Sequence, residues 1–228
     1  MEMLEEFHMN YLVLDLEMCG VAKHYRTDKF HYATEIIQIG AVLLDEEYQR
    51  IAEIRQYVHP VYGVIDNFIF KLTGISNSDV KYAPCLEEAM KHMLNWIGDR
   101  EYKVIAWSEN DYNQLHREIK SKEIEDERIQ SFMDKENWVD YQAIFGERFE
   151  FNREVSLEEA LLYCEIEAEG RFHDGLSDAI NTAALIKKLE LHPEFTIENY
   201  EKGMTEETEP LNYSLGALFA NLGFQCIA

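Results

Sequence analysis

The chain has 228 residues, 46% hydrophobic and 12% aromatic, enough for one sizeable core and too apolar for a disordered segment. Acids outnumber bases 44 to 21, and the net charge of −23 argues against tight, non-specific binding to long duplex nucleic acid. No apolar run is long enough for a membrane span, the acidic start MEMLEEFHMN has no signal-peptide pattern, and four scattered cysteines lack metal-finger spacing; together these predict a cytoplasmic protein with free thiols.

The alternation in residues 10–18 (NYLVLDLEM) predicts a first β-strand. Residues 35–44 (EIIQIGAVLL) and 51–58 (IAEIRQYV) predict a second and third, and DEEYQR between them a hairpin turn. Leu86, Met90, Met93 and Ile97 form a helical stripe that Gly98-Asp99 ends. KVIAW (103–107) is a short strand, followed by a helix from about Asn110, its expected cap, with Tyr112, Leu115 and Ile119 on one side. The charged stretch from Glu118 to Glu127 reads as a solvated helix end or loop. Trp138-Val139-Asp140 suits a fifth strand, and Ser156-x-x-Glu159 is a capping box opening a helix through Leu157, Ala160, Leu161 and Cys164. HDGLSD (173–178) then runs into a helix through Ile180, Ala183 and Ile186.

This order predicts a single α/β domain, residues 8–192, with a mixed five-stranded sheet flanked by helices. Residues 193–228 form a C-terminal extension. Its acidic run EKGMTEETEP precedes an apolar tail, Leu211–Ala228, expected to pack on the domain or on a partner subunit.

One feature of the first strand contradicts a plain core. Its odd face reads Tyr11, Val13, Asp15, Glu17, so two carboxylates share one face at the carboxyl end. Ligand sites of open α/β sheets gather outside such strand ends. Asp111 follows the KVIAW strand, and Asp178 lies one turn into the helix after His173. If these neighbour the first strand, four carboxylates and an imidazole converge. Such a cluster must bind protons or divalent cations, and an all-oxygen ligand set suits Mg²⁺ or Mn²⁺. Residues 21–34 add a relatively basic island, with Lys23, Arg26 and Lys29 around Tyr25, Phe30 and Tyr32. Cations and rings together suit single-stranded nucleic acid, although an ordinary solvated loop explains them slightly better.

DLEMCG, AWSENDYNQL and HDGLSD, in this order, resemble the DEDD superfamily of 3′–5′ exonucleases, and the spacing of His173 and Asp178 matches its DEDDh branch. EIIQIGAV and KLTGIS are similar to that family's second strand and following loop. The middle motif is most similar to the histone-mRNA and small-RNA 3′ exonucleases, and DLEM-x-G to oligoribonuclease. The resemblance spans about residues 10 to 190 and implies an RNase H-like fold. It implies that Asp15, Glu17, Asp111 and Asp178 hold two Mg²⁺ or Mn²⁺ ions, with His173 as general base. It further implies substrate contacts at Met18, Cys19, Trp107 and Asn110, free 3′ ends of single-stranded nucleic acid as partner, and nucleoside 5′-monophosphates as products, with RNA favoured over DNA. Met18 and Cys19 stand where many relatives carry Thr, which leaves sugar recognition open. A non-catalytic interaction module on the same fold, or a structural cation site, are the alternatives. Asp174 reads as a helix cap rather than a ligand.

Overall fold

A computed structural model describes residues 9–26 and 32–197. Six strands form one sheet: β1 (Asn10–Val21), β2 (Thr34–Leu44), β3 (Arg50–Tyr57), β4 (Gly63–Val64), β5 (Tyr102–Ala106) and β6 (Trp138–Asp140). Their order is β3-β2-β1-β5-β6, with the short β4 pairing to the end of β1. β3, β2 and β1 are antiparallel, while β5 and β6 run parallel to β1. The five expected strands are therefore present in a mixed sheet, and the two-residue β4 adds a sixth. Eight α-helices accompany the sheet among the described residues: α1 (Asn67–Thr73), α2 (Asn77–Val80), α3 (Leu86–Ile97), α4 (Glu109–Ser121), α5 (Glu127–Phe132), α6 (Tyr141–Arg148), α7 (Leu157–Tyr163) and α8 (Gly175–Leu191).

β1 sits mid-sheet because both of its faces are covered. Leu12, Leu14, Leu16 and Met18 join the stripe of α3 and residues of α4 and α5 in one core. Val13 faces the opposite core, with residues of α6, α7 and α8. β2 is buried along its whole length, so from Ile36 on it is apolar on both faces except at Gln38, rather than alternating.

α8 crosses β2 at unusually close range. A Cβ added at Gly40 would stand 2.0 Å from the carbonyl carbon of Gly175, so no side chain fits between strand and helix start. The backbones touch there because both positions are glycine. Gly40→Ala is expected to cost about 1–3 kcal/mol of stability, the usual penalty of overpacking a tight core. Urea unfolding measures it, and an unshifted midpoint would show that α8 can move away freely.

Three local expectations are corrected. Ser108, not Asn110, caps α4, its hydroxyl accepting the Asn110 N–H. Glu118 is not solvated: it is buried, accepts the Ile36 N–H at 2.9 Å, and meets Lys122 at 2.7 Å. Helical spacing places it on the inner face of α4, and the surrounding charges conceal that from a count of composition. The third concerns Asp174, which stands at the N-cap position of α8 but caps no backbone N–H with its side chain. The apolar tail, Lys29 and Phe30 lie outside the described residues. Arg26 donates to the Val21 carbonyl at 3.1 and 2.9 Å, so part of the basic island folds back on its own strand.

Candidate active site

The site begins where β1 outruns its neighbour. β5 pairs with β1 only along Asn10–Val13, so later β1 N–H groups on that edge need other acceptors. Asp111, in the first turn of α4, fills that role: its Oδ1 accepts the Leu16 N–H at 3.1 Å. A single hydrogen bond thus holds the Asp111 carboxylate against the residue between Asp15 and Glu17. A bulge between Glu17 and Met18 breaks the β1–β2 register at the same place.

The fourth carboxylate comes from α8. The helix start is pinned by the Gly175 N–H, which donates to Gln38 Oε1 at 2.6 Å on β2. Asp178 lies in the first turn, and its Oδ2 accepts the His173 N–H at 2.8 Å. Its Oδ1 is buried and has no hydrogen-bond partner, alone in this among the described buried side-chain N and O atoms. A buried carboxylate oxygen left unpaired is costly unless a cation meets it. His173 has a positive φ of 61°, and it lines the same cleft while remaining open to solvent.

Asp15, Glu17, Asp111, Asp178 and His173 all line one cleft of about 170 Å³. One ligand atom each from Glu17, His173 and Asp178 lie within 4.8 Å of one another. The donor set and the orphaned Asp178 oxygen fit a divalent cation. Two expected substrate residues, Met18 and Asn110, line the cleft as well. Cys19 and Trp107 do not. Cys19 is fully buried among Ile37, Ile65 and Ile69, and Trp107 packs on Phe145 while its indole N–H donates to the Val155 carbonyl at 3.2 Å. Their side chains are core residues, because Cys19 lies past the bulge on the side of Ile37 and the indole packs against α6.

The cleft also contains residues not singled out as site residues from the sequence: Thr34 and Arg117 outside the motifs, and Ser108 and Gln114 within AWSENDYNQL. Gln114 and Arg117 follow Asp111 at steps of three along α4, a spacing that could have revealed them. Nothing in the sequence marks Thr34. It reaches the site because its hydroxyl donates to Gln114 Oε1 at 2.8 Å. Behind them, Lys122 lies 2.7 Å from both Glu35 and Glu118, and Glu35 accepts the N–H groups of Val61, Tyr62 and Gly63, each at 2.7 Å. This paired network ties α4 to β2 and to the β4 loop, giving the cleft a rigid wall.

Electrostatics follow from crowding. Burial, then Asp111 and Asp178, push the Asp15 carboxyl well above the ordinary range; burial and Asp178 do the same to Glu17. Burial lifts Asp111 to about 7, against the opposing hydrogen bond from Leu16. Asp178 also rises to about 7, mainly by burial. Partial burial lowers the His173 imidazole below its usual 6.5, so it is neutral and able to accept a proton near pH 7.

The raised Asp111 carboxyl couples stability to pH. Between its ordinary value of 3.8 and about 7, the folded carboxyl holds a proton that the unfolded chain has released. Raising the pH through this window therefore removes stability. Without metal, Asp111→Asn is expected to melt above the wild type at about pH 8, with the gap closing near pH 4. Mn²⁺ should reverse the order at pH 8 by stabilising only the wild-type cage. Equal melting temperatures at pH 8 in metal-free buffer would refute the cost of ionising the buried Asp111 carboxyl.

The Exonuclease (RNase T) family model matches residues 12–186, most of the chain. The chain belongs to the exonuclease family. The likeness to DEDDh 3′–5′ exonucleases expected from the motifs holds. The chain is 28% identical over 202 residues to human "ERI1 exoribonuclease 2", covering 78% of this chain and 28% of that protein. It is 25% identical over 162 residues to rat "3′-5′ exoribonuclease 1", covering 68% of this chain and 46% of that one. It thus spans less than half the length of these two relatives. Among solved structures, the nuclease domain of 3′hExo, described as a DEDDh family member bound to rAMP, has the same fold. The TM-score is 0.68 at 19% identity, covering 83% of this chain and 94% of that one.

Proposed function

We propose that this exonuclease-family chain is a metal-dependent 3′–5′ exonuclease. It removes nucleoside 5′-monophosphates from the free 3′ ends of single-stranded nucleic acid, RNA in preference to DNA. The observation that carries the reading is the convergence of four buried or half-buried carboxylates on one cleft, with the unpaired Asp178 oxygen among them. A non-catalytic module has no use for a repulsive cluster of this kind. The preference for RNA is supported by the names of the relatives, both exoribonucleases.

Asp15, Glu17, Asp111 and Asp178 would hold Mg²⁺ or Mn²⁺. The cations, two in the fullest form of the reading, would supply Lewis acidity and charge neutralisation at phosphorus. Asp111 holds Leu16 and so fixes β1, while Asp178 holds the His173 backbone in line with the cleft. His173, neutral at pH 7, takes a proton from the attacking water. The water oxygen forms a new bond to the terminal phosphorus. The bond to the 3′-oxygen of the preceding nucleotide breaks, and that oxygen takes up a proton as a hydroxyl. Met18 and Asn110 line the cleft and would contact the terminal nucleotide, and the Arg117 guanidinium offers the cleft a positive charge. A second reading makes His173 a ligand, because its ring nitrogen comes within 4.8 Å of the Glu17 and Asp178 oxygens. The free thiols of Cys19, Cys85 and Cys164 suit the reducing cytoplasm, and no described helix is long and apolar enough to cross a membrane.

The test is incubation with 5′-labelled RNA and DNA oligonucleotides, with free or blocked 3′ ends, with and without Mn²⁺. A ladder is expected from free ends only, in Mn²⁺ only, and faster on RNA. Cleavage of blocked strands, or none of free strands, would overturn the reading.

A further inference from the structure

The proposed mechanism leaves one carboxylate beside the site unused. Asp174 follows His173 directly, yet it does not line the cleft and caps no helix N–H. Its side chain turns to the edge strand β3 instead. There Arg55 Nη2 stands 2.5 Å from Asp174 Oδ2, and the same oxygen accepts the Ser177 hydroxyl at 2.9 Å.

Sheet register explains how a residue two strands away reaches the site. Asp15 pairs with Gly40, and Gly40 with Arg55, so the three form one row across β1, β2 and β3. Residues directly opposite each other point to the same face, which places Arg55 and Asp15 on the side covered by α8. The middle member of the row has no side chain, and the start of α8 fills the gap. Residues 173–175 therefore bridge the row, with His173 at the carboxylate end and Asp174 at the arginine end.

We propose that Arg55 is a positioning residue of this active site. It draws Asp174 away from the cage and cancels its charge, so that four acids rather than five face the cation while His173 stays in the cleft. The inference rests on the exonuclease reading above. Stability alone gives little reason for the pair, since Arg55 is 42% exposed and such ion pairs contribute about 0–1 kcal/mol. Its location gives a better one. Asp174 is close enough that its charge acts on Asp15, Glu17 and Asp178. An uncompensated fifth carboxylate would attract the cation into unproductive coordination.

The experiment compares wild type, Arg55→Ala, Arg55→Lys and Arg55→Ala/Asp174→Asn. It measures kcat and KM on 3′-free RNA, Mn²⁺ affinity by calorimetry without substrate, and melting temperature. Arg55→Ala is expected to lower kcat about 10-fold, the lower end of effects from residues that orient metal ligands. It should tighten Mn²⁺ binding, leave KM nearly unchanged and shift melting little. Arg55→Lys should recover most of the rate because the charge returns. The double variant should recover it too, because the stray carboxylate is gone while the amide oxygen introduced at position 174 still accepts from Ser177. An Arg55→Ala enzyme with wild-type kcat and Mn²⁺ affinity would overturn the proposal, as would a double variant as slow as the single one. A wild type inactive on every oligonucleotide would instead overturn the exonuclease reading, and the calorimetric comparison would still decide whether Arg55 cancels a charge at the cage.

Discussion

Asp178→Asn is expected to lower turnover at least about 10³-fold, because a cation supplies several kcal/mol at phosphorus and each decade of rate corresponds to about 1.4 kcal/mol. The substitution keeps size and shape, and the new amide oxygen can still accept the His173 N–H that now meets Asp178 Oδ2. The loop before α8 should therefore stay in place, which circular dichroism and melting of the variant check. What disappears is the charge, and with it the buried Oδ1 that has no partner among the described residues. Mn²⁺ affinity should fall along with the rate. Metal-free stability near neutral pH should hold or rise, since a carboxyl held up at about 7 is being removed from a crowded site. Activity retained with Mn²⁺ affinity retained would remove Asp178 from the cage.

His173→Ala separates two roles that the geometry allows. A general base contributes about 10²–10⁴-fold to rate, so a loss of that size with unchanged Mn²⁺ affinity is the expected result. The solvent-open ring and its neutral form near pH 7 favour this outcome. At saturating Mn²⁺, where the cage carboxylates stay ionised, the rate of the wild type should also fall on the acid side as the imidazole takes up a proton, and that limb should vanish from the variant. A variant that loses Mn²⁺ as well would instead make the ring a ligand, as its closeness to Glu17 and Asp178 permits. Calorimetry on the variant, run beside the rate measurement, distinguishes the two.

Much of the architecture follows from periodicity. The alternation of Leu12, Leu14 and Leu16 marks a strand, and the spacing of Leu86, Met90, Met93 and Ile97 marks α3, because side-chain direction repeats with backbone geometry. The elements that escaped are short: α1, α2, α5 and β4 span 7, 4, 6 and 2 residues, too few for a period to show. Glu118 escaped for another reason. A charged residue announces solvent unless its partners are known, and the Ile36 N–H, 82 positions away, is a partner only in the folded chain.

Residue order alone singles out the candidate groups: two acids on one face of a strand end, an acid at each of two helix starts, and a histidine five residues before the last of them. Local geometry is enough for that, since strand and helix periods are set within a few residues. The folded arrangement was needed to bring these groups to a common cleft, to withdraw the Cys19 and Trp107 side chains from it, and to set Asp174 against Arg55 across the sheet. Those relations join residues about 100 positions apart, as Leu16 with Asp111 and Arg55 with Asp174 do. They exist because Gly40 lets α8 lie directly on β2 and because β1 extends past β5, and no local pattern of residues encodes either contact.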